Sequence, residues 1–199
     1  IADYPMLEAV QTGDFKEGPK YLCAPRALFA VPPGGFSLQP IAIQCNQKPG
    51  PKNPVFHSKD GWNWEMAKTA VQGADGNYHE AVAHLGRTHL LLEPFAVSTH
   101  RQLDNSHPLS LLLRPHFEGT MFINYQAHRR LIANQGGVDK LLSGTIESTR
   151  ALAGSSILNG EYPFMEATLP NQLKKRGVED TLGLPDYPFR DDGLLLWEA

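Results

Sequence analysis

The run "WNWEMAKTAVQGADGNYHEAVAHLGRTHLLLEPFAVSTHRQL", Trp62 to Leu103, decides the reading of the fold. Apolar positions such as Met66, Ala70, Val71, Ala81, Leu85 and Leu92 suggest helical faces along it. Gly73, Gly76 and Gly86 should loosen the helix, and Pro94 should bend it. A helix this long exceeds the usual length and needs burial to explain it. The run therefore predicts a long, bent central helix. Inside it stand three histidines at a constant spacing of five: His79, His84 and His89. On a regular α-helix, residues five apart point about 140° away from each other. A π-type distortion adds a residue to the turn and brings positions i and i+5 near one face, and such distortions gather at functional sites. Gly86, between His84 and His89, is placed to ease it.

Outward from this helix the texture changes. Residues 1–60 are rich in proline and glycine and read as a β/loop region, and 61–199 read as helical. The runs "ALFAV" (Ala27 to Val31) and "LQPIAIQ" (Leu38 to Gln44) flank "PPGGFS" and predict a small β-hairpin, with Pro40 placing the second strand at an edge. After the long helix, "GTMFINYQAHRRLIANQGG" reads as a helix or arch ending at Gly136-Gly137. "SGTIESTRALAG" is a helix opened by Ser143 or Thr145, and "TLPNQLKKRG" a short one closed by Gly177. His107-Pro108 and Pro115-His116 look like helix-end and turn positions. Asp191 and Asp192 suit the cap and first turn of a last helix, "DDGLLLWEA". That helix stops after two turns, so further chain is expected beyond Ala199. The fold class is mainly α, shorter helices packing the long bent one, with a small N-terminal β element.

The 199 residues are 41% hydrophobic, enough for a sizeable core. A net charge of −3 lacks the basic excess of a nucleic-acid binder. No apolar run reaches the ~20 residues of a membrane helix. Cys23 and Cys45 have no metal-type spacing and read as two buried free thiols.

Two imidazoles on one face of a buried helix are a metal-site arrangement. The zinc-protease signature needs His-Glu-x-x-His, and "HEAVAH" is out of that register. Across "WEMAK", "ADGNYHEAVAHLGRTHLLLEPFAVSTHRQL", "HPLSLLLRPHFEGTMFIN", "GGVDKLL" and "DYPFRDDGLLLWEA" the sequence closely resembles the catalytic domain of lipoxygenases, non-haem iron dioxygenases of polyunsaturated fatty acids, and most of all bacterial members. The resemblance implies that His84 and His89, in "HLGRTH", are the two helix-borne iron ligands, and that His79 is not one. It places Glu80 beside a ligand, able to orient it or buffer protons. It gives Leu85 a part in shaping the cavity near iron. Ala127 falls on the position where Ala goes with S products, and Leu131 on the residue that clamps the pentadiene over the metal. Val138, Leu141 and Leu142 fall on positions that set channel depth. His100, His107, His116 and His128 have no ligand role by this comparison, and Arg101 and Arg114 are expected in internal ion pairs or caps.

The family's later iron ligands, and the amino-terminal lipid-binding barrel of many relatives, have no counterpart here. The reading is an internal fragment, residues 1–199, of a lipoxygenase catalytic domain. The implied cofactor is one iron per complete site. The implied partners are a polyunsaturated fatty acid and dioxygen, with peripheral membrane contact for the parent, a soluble bacterial protein that is cytoplasmic or secreted/periplasmic. The implied chemistry uses an iron-bound hydroxide, with no protein base, to take a hydrogen atom from a bis-allylic CH2. Dioxygen then adds to give a hydroperoxide. Two rivals stay open: a catalytically silent structural fragment, and a zinc hydrolase in which Glu80 is essential.

Overall fold

A computed structural model describes residues 1–15, 18–158 and 162–198, so Ala199 and whatever is expected beyond it lie outside the described residues. Two compact units divide the chain: residues 1–5, 23–72 and 162–199 form one, residues 6–22 and 73–161 the other.

In the first unit, strands β1 (Ala2–Asp3), β4 (Arg26–Ala30), β5 (Gln39–Gln44) and β6 (Val55–Phe56) form an antiparallel sheet in the order β1-β4-β5-β6. The expected hairpin is its centre, β4 on β5. Pro40 does not make β5 an edge strand, because β6 pairs with its far side. That pairing covers only Ile43 and Gln44, so the missing N–H of Pro40 costs no ladder bond to β6. A register shift between Leu28 and Phe29 also lets Ala42 and Pro40 face consecutive residues. Ala27 and Ile43 turn to the covered face and meet Trp64 and Ala67. Burying a side chain such as Ile43 is worth about 1.5–3 kcal/mol.

Helix α1 spans Trp62–Tyr78. Its buried positions are Trp64, Ala67, Ala74 and Asn77; of the expected apolar positions Val71 packs on the cluster of Trp64 and Ala67, whereas Met66 is 69% exposed. Cys23 and Cys45 are half-buried rather than buried, and desolvation pushes both thiols above their ordinary range. Helix α7 (Leu169–Arg176) ends where Gly177 adopts the left-handed conformation at φ 64°. Helix α8 (Pro188–Glu198) starts three residues before Asp191. Its origin is set by Pro188 in the first turn and by the buried Arg190, and Asp191 then accepts from the backbone N–H of Tyr187 at 3.3 Å.

In the second unit, short strands β2 (Asp14–Phe15) and β3 (Gly18–Pro19) pair with each other. The helical run continues from α1 without a break, as a π segment His79–Leu90 and then α2 (Leu91–Gln102). The distortion thus spans twelve residues, not one bulge. Helices α3 (Pro108–Leu113), α4 (Thr120–Gln126), α5 (Gly137–Leu141) and α6 (Ile146–Ser155) follow. The His107 ring caps α3 by accepting from the Leu109 N–H, and the Thr145 hydroxyl caps α6 by accepting from that of Ser148. The Nε of Arg114 is buried and finds no acceptor among the described residues, while the Arg114 charge helps to hold the Asp104 carboxyl below its ordinary range, after the hydrogen bonds from Ser106. Lys20 is 6% exposed and donates to the carbonyls of Asp139 and Leu142.

Gly86 has a role other than easing the π segment. A Cβ there would lie 2.4 Å from Ser156 Oγ and 2.8 Å from the Ala153 carbonyl. The glycine lets α6 approach the backbone of the histidine-bearing segment. Among the described residues, no helix is long and apolar enough to cross a membrane.

Candidate metal centre

The π segment carries His84 and His89 onto one side of the helix, with ring centroids 4.9 Å apart and their Nε2 atoms 3.1 Å apart. Each Nδ1 is held from behind. Glu80, one α-helical turn earlier, accepts from His84 Nδ1 at 3.0 Å. Asn124, from α4, accepts from His89 Nδ1 through Oδ1 at 2.7 Å. The orientation of that amide follows from its other contacts. Its Nδ2 donates to the Glu93 carboxylate at 2.7 Å and to the His89 carbonyl at 3.3 Å, and neither group can donate in return.

A proton on Nδ1 of each ring satisfies these contacts and turns two Nε2 lone pairs toward each other. Two acceptors at 3.1 Å repel unless a cation or a proton lies between them. Two nitrogens bound at about 2.1 Å to one ion, at a right angle, sit about 3.0 Å apart. The pair fits a single metal ion in adjacent coordination positions, and neutral imidazoles suit iron as well as other first-row metals.

The largely exposed ring of His79 stacks on His84 at 6.0 Å, and its Nε2 lies 3.9 Å from Glu80 Oε1. The two convergent nitrogens border a cavity of about 580 Å³ in the same unit. That volume is within the usual range for a small-molecule site. Leu85, Ala127, Leu131 and Val138 line it together with Glu80, His84 and His89. Ala127 and Leu131 come from a second π segment, Ala127–Leu131, that continues α4. Leu141 and Leu142 are not among the lining residues, and Leu141 is 80% exposed. His128, read as structural, also borders the cavity.

Two residues of the site were not singled out from sequence, Glu93 and Asn124. Glu93 stands four residues after His89, the same offset that links Glu80 to His84, and was legible in that spacing. Asn124 is 35 residues from its imidazole, and no local pattern announces it.

The lipoxygenase family model matches residues 5–199. The chain is 47% identical over 188 residues to the linoleate 9/13-lipoxygenase of Pseudomonas aeruginosa, covering 92% of this chain and 27% of that protein. A crystal structure of coral 8R-lipoxygenase superposes with a TM-score of 0.88 at 39% identity, over 99% of this chain and 29% of that one. An anaerobic crystal structure of a LOX in complex with arachidonate superposes at 0.85 and 39% identity, over 99% and 30%. The chain thus spans less than a third of the length of each of these relatives. With this match over nearly its whole length, and with its paired imidazoles beside an apolar cavity, the chain belongs to the lipoxygenase family.

Proposed function

We propose that this chain supplies the helix-borne half of an iron centre, and the adjoining wall of the substrate channel, in an enzyme that converts polyunsaturated fatty acids and dioxygen to hydroperoxides. The observation that carries the reading is the pair of Nε2 atoms 3.1 Å apart beside a cavity whose lining includes Leu85, Ala127, Leu131 and Val138. His84 and His89 would hold the iron, and Glu80 fixes the ring of His84. Bound there, iron would supply the one-electron oxidant that takes a hydrogen atom from a bis-allylic CH2, leaving a pentadienyl radical open to dioxygen.

The chain's other residues act by position. Leu85 and Leu131 exclude water and press the diene toward the imidazoles. Ala127, with only a methyl group, leaves room for dioxygen at one carbon, which favours the S product. Val138 bounds the depth of the channel, a part the geometry does not extend to Leu141 and Leu142. The apolar walls suit an alkenyl chain.

Anaerobic loading with ferrous iron, followed by elemental analysis, tests the reading. The expected result is about one iron per chain, absent from both His84→Ala and His89→Ala. Iron kept by both variants overturns it, and a chain that takes up zinc and needs Glu80 for hydrolysis replaces it with the zinc reading.

A further inference from the structure

We infer that Glu93 and Asn124 form a positioning pair that selects the ring tautomer of His89, and so decides whether its Nε2 is free to bind metal. The inference rests on the reading of His84 and His89 as ligands. A neutral imidazole in water populates both tautomers, and a protonated Nε2 cannot coordinate. For His84 the choice is made directly, since the Glu80 carboxylate can only accept and draws the proton to Nδ1.

Among the described residues, the partner of His89 Nδ1 is not a carboxylate. Its neighbour is an amide, which could present either oxygen or nitrogen. If nitrogen were presented, Nδ1 would have to accept, and the proton would sit on Nε2. Glu93 removes that ambiguity. Its carboxylate, 2.7 Å from Asn124 Nδ2, accepts only, so the amide nitrogen must face it and the oxygen must face His89. The His89 carbonyl, at 3.3 Å from the same Nδ2, reinforces the orientation. His89 and Glu93 lie on the same helical run, four residues apart, and Asn124 reaches them from α4. The fold thus uses one residue of another helix to carry a carboxylate's instruction to the ring.

The test reads the tautomer first and metal affinity second. In the metal-free chain labelled with nitrogen-15 histidine, two-bond proton–nitrogen spectra report which His89 nitrogen bears the proton. Ferrous iron affinity is then measured anaerobically by competition with a chromophoric chelator. Wild type is expected to show Nδ1–H. Asn124→Leu should raise the Nε2–H population and weaken iron binding by about 10–100-fold. Glu93→Leu, which frees the amide to turn over, should fall between wild type and Asn124→Leu. Glu93→Gln still offers an oxygen to Asn124 and should keep the wild-type tautomer. If Asn124→Leu fails to fold, Glu93→Leu against Glu93→Gln decides the matter alone. A wild-type ring bearing its proton on Nε2, or leucine variants that keep the Nδ1–H form, overturns the positioning pair. A wild-type chain that shows Nδ1–H yet takes up no ferrous iron overturns the metal reading and leaves the pair standing.

Discussion

Two polar clusters, one in each unit, use the same kinds of contact to opposite ends. Around Arg190, which is 0% exposed, every nitrogen of the guanidinium has an acceptor. Nε donates to Asp191 Oδ1 at 2.7 Å. Nη1 donates to the carbonyls of Leu184 at 2.7 Å, Asp180 at 3.3 Å and Val178 at 3.4 Å, and Nη2 to that of Pro185 at 3.4 Å. Each nitrogen is engaged by a neighbouring acceptor, so the cluster ties the loop before α8 to the start of that helix. Around His84 and His89 the outer nitrogens are equally well held, yet the inner two are left facing each other at 3.1 Å. A cluster whose every nitrogen is engaged inside the fold serves stability. A held but incomplete cluster gives a site, because the support fixes where the unused lone pairs point.

The contrast is broken or sharpened by variants that separate binding from stability. His84→Ala should show the largest effect on binding, a loss of iron affinity greater than about 100-fold. Its side chain is half exposed, so urea denaturation should find stability changed by less than about 1 kcal/mol. Arg190→Met should do the reverse. Stranding the buried Leu184 carbonyl and loosening the part-buried carbonyls of Val178, Asp180 and Pro185 should cost about 1–3 kcal/mol in the same experiment, with iron affinity where it was. A large fall in iron affinity there would sink the division of labour.

Gly86→Ala should affect both properties. Its Cβ would clash with Ser156 Oγ and the Ala153 carbonyl, costing about 1–3 kcal/mol and shifting the segment that carries both imidazoles. Adding Ser156→Ala should recover only part of the loss, because the Ala153 carbonyl remains 2.8 Å away.

The smallest effect is expected from Asp191→Asn. The hydrogen bond from Arg190 holds the Asp191 carboxyl below its usual range, ahead of the opposing effect of burial. A carboxyl lowered by folding stabilises the protein above its unfolded value of about 3.9, and that contribution is lost as pH falls through the lower folded value. The variant should therefore flatten the acid limb of stability against pH below about pH 4, and an unchanged limb would show that Asp191 has no share in it.

Local spacing in the sequence determined much of this. Five-residue separation of the histidines called for a π-type helix, and the structure has one from His79 to Leu90. Two apolar runs about Pro32-Pro33-Gly34-Gly35 called for the hairpin of β4 and β5, and Thr145 and Gly177 marked a start and a stop. These features rest on interactions within a few residues, which composition and period report directly. Other features belong to the tertiary structure alone. The flanking strands β1 and β6 are two residues each, too short to carry an alternation. Helix α8 begins at Pro188 rather than at the aspartates because Arg190 is drawn into a buried network. Gly86 is required by a helix some 70 residues further on, and the amide that orients His89 arrives from α4. Only packing decides which distant side chain meets an imidazole, because such contacts depend on how helices are brought together and not on the order of residues within any one of them.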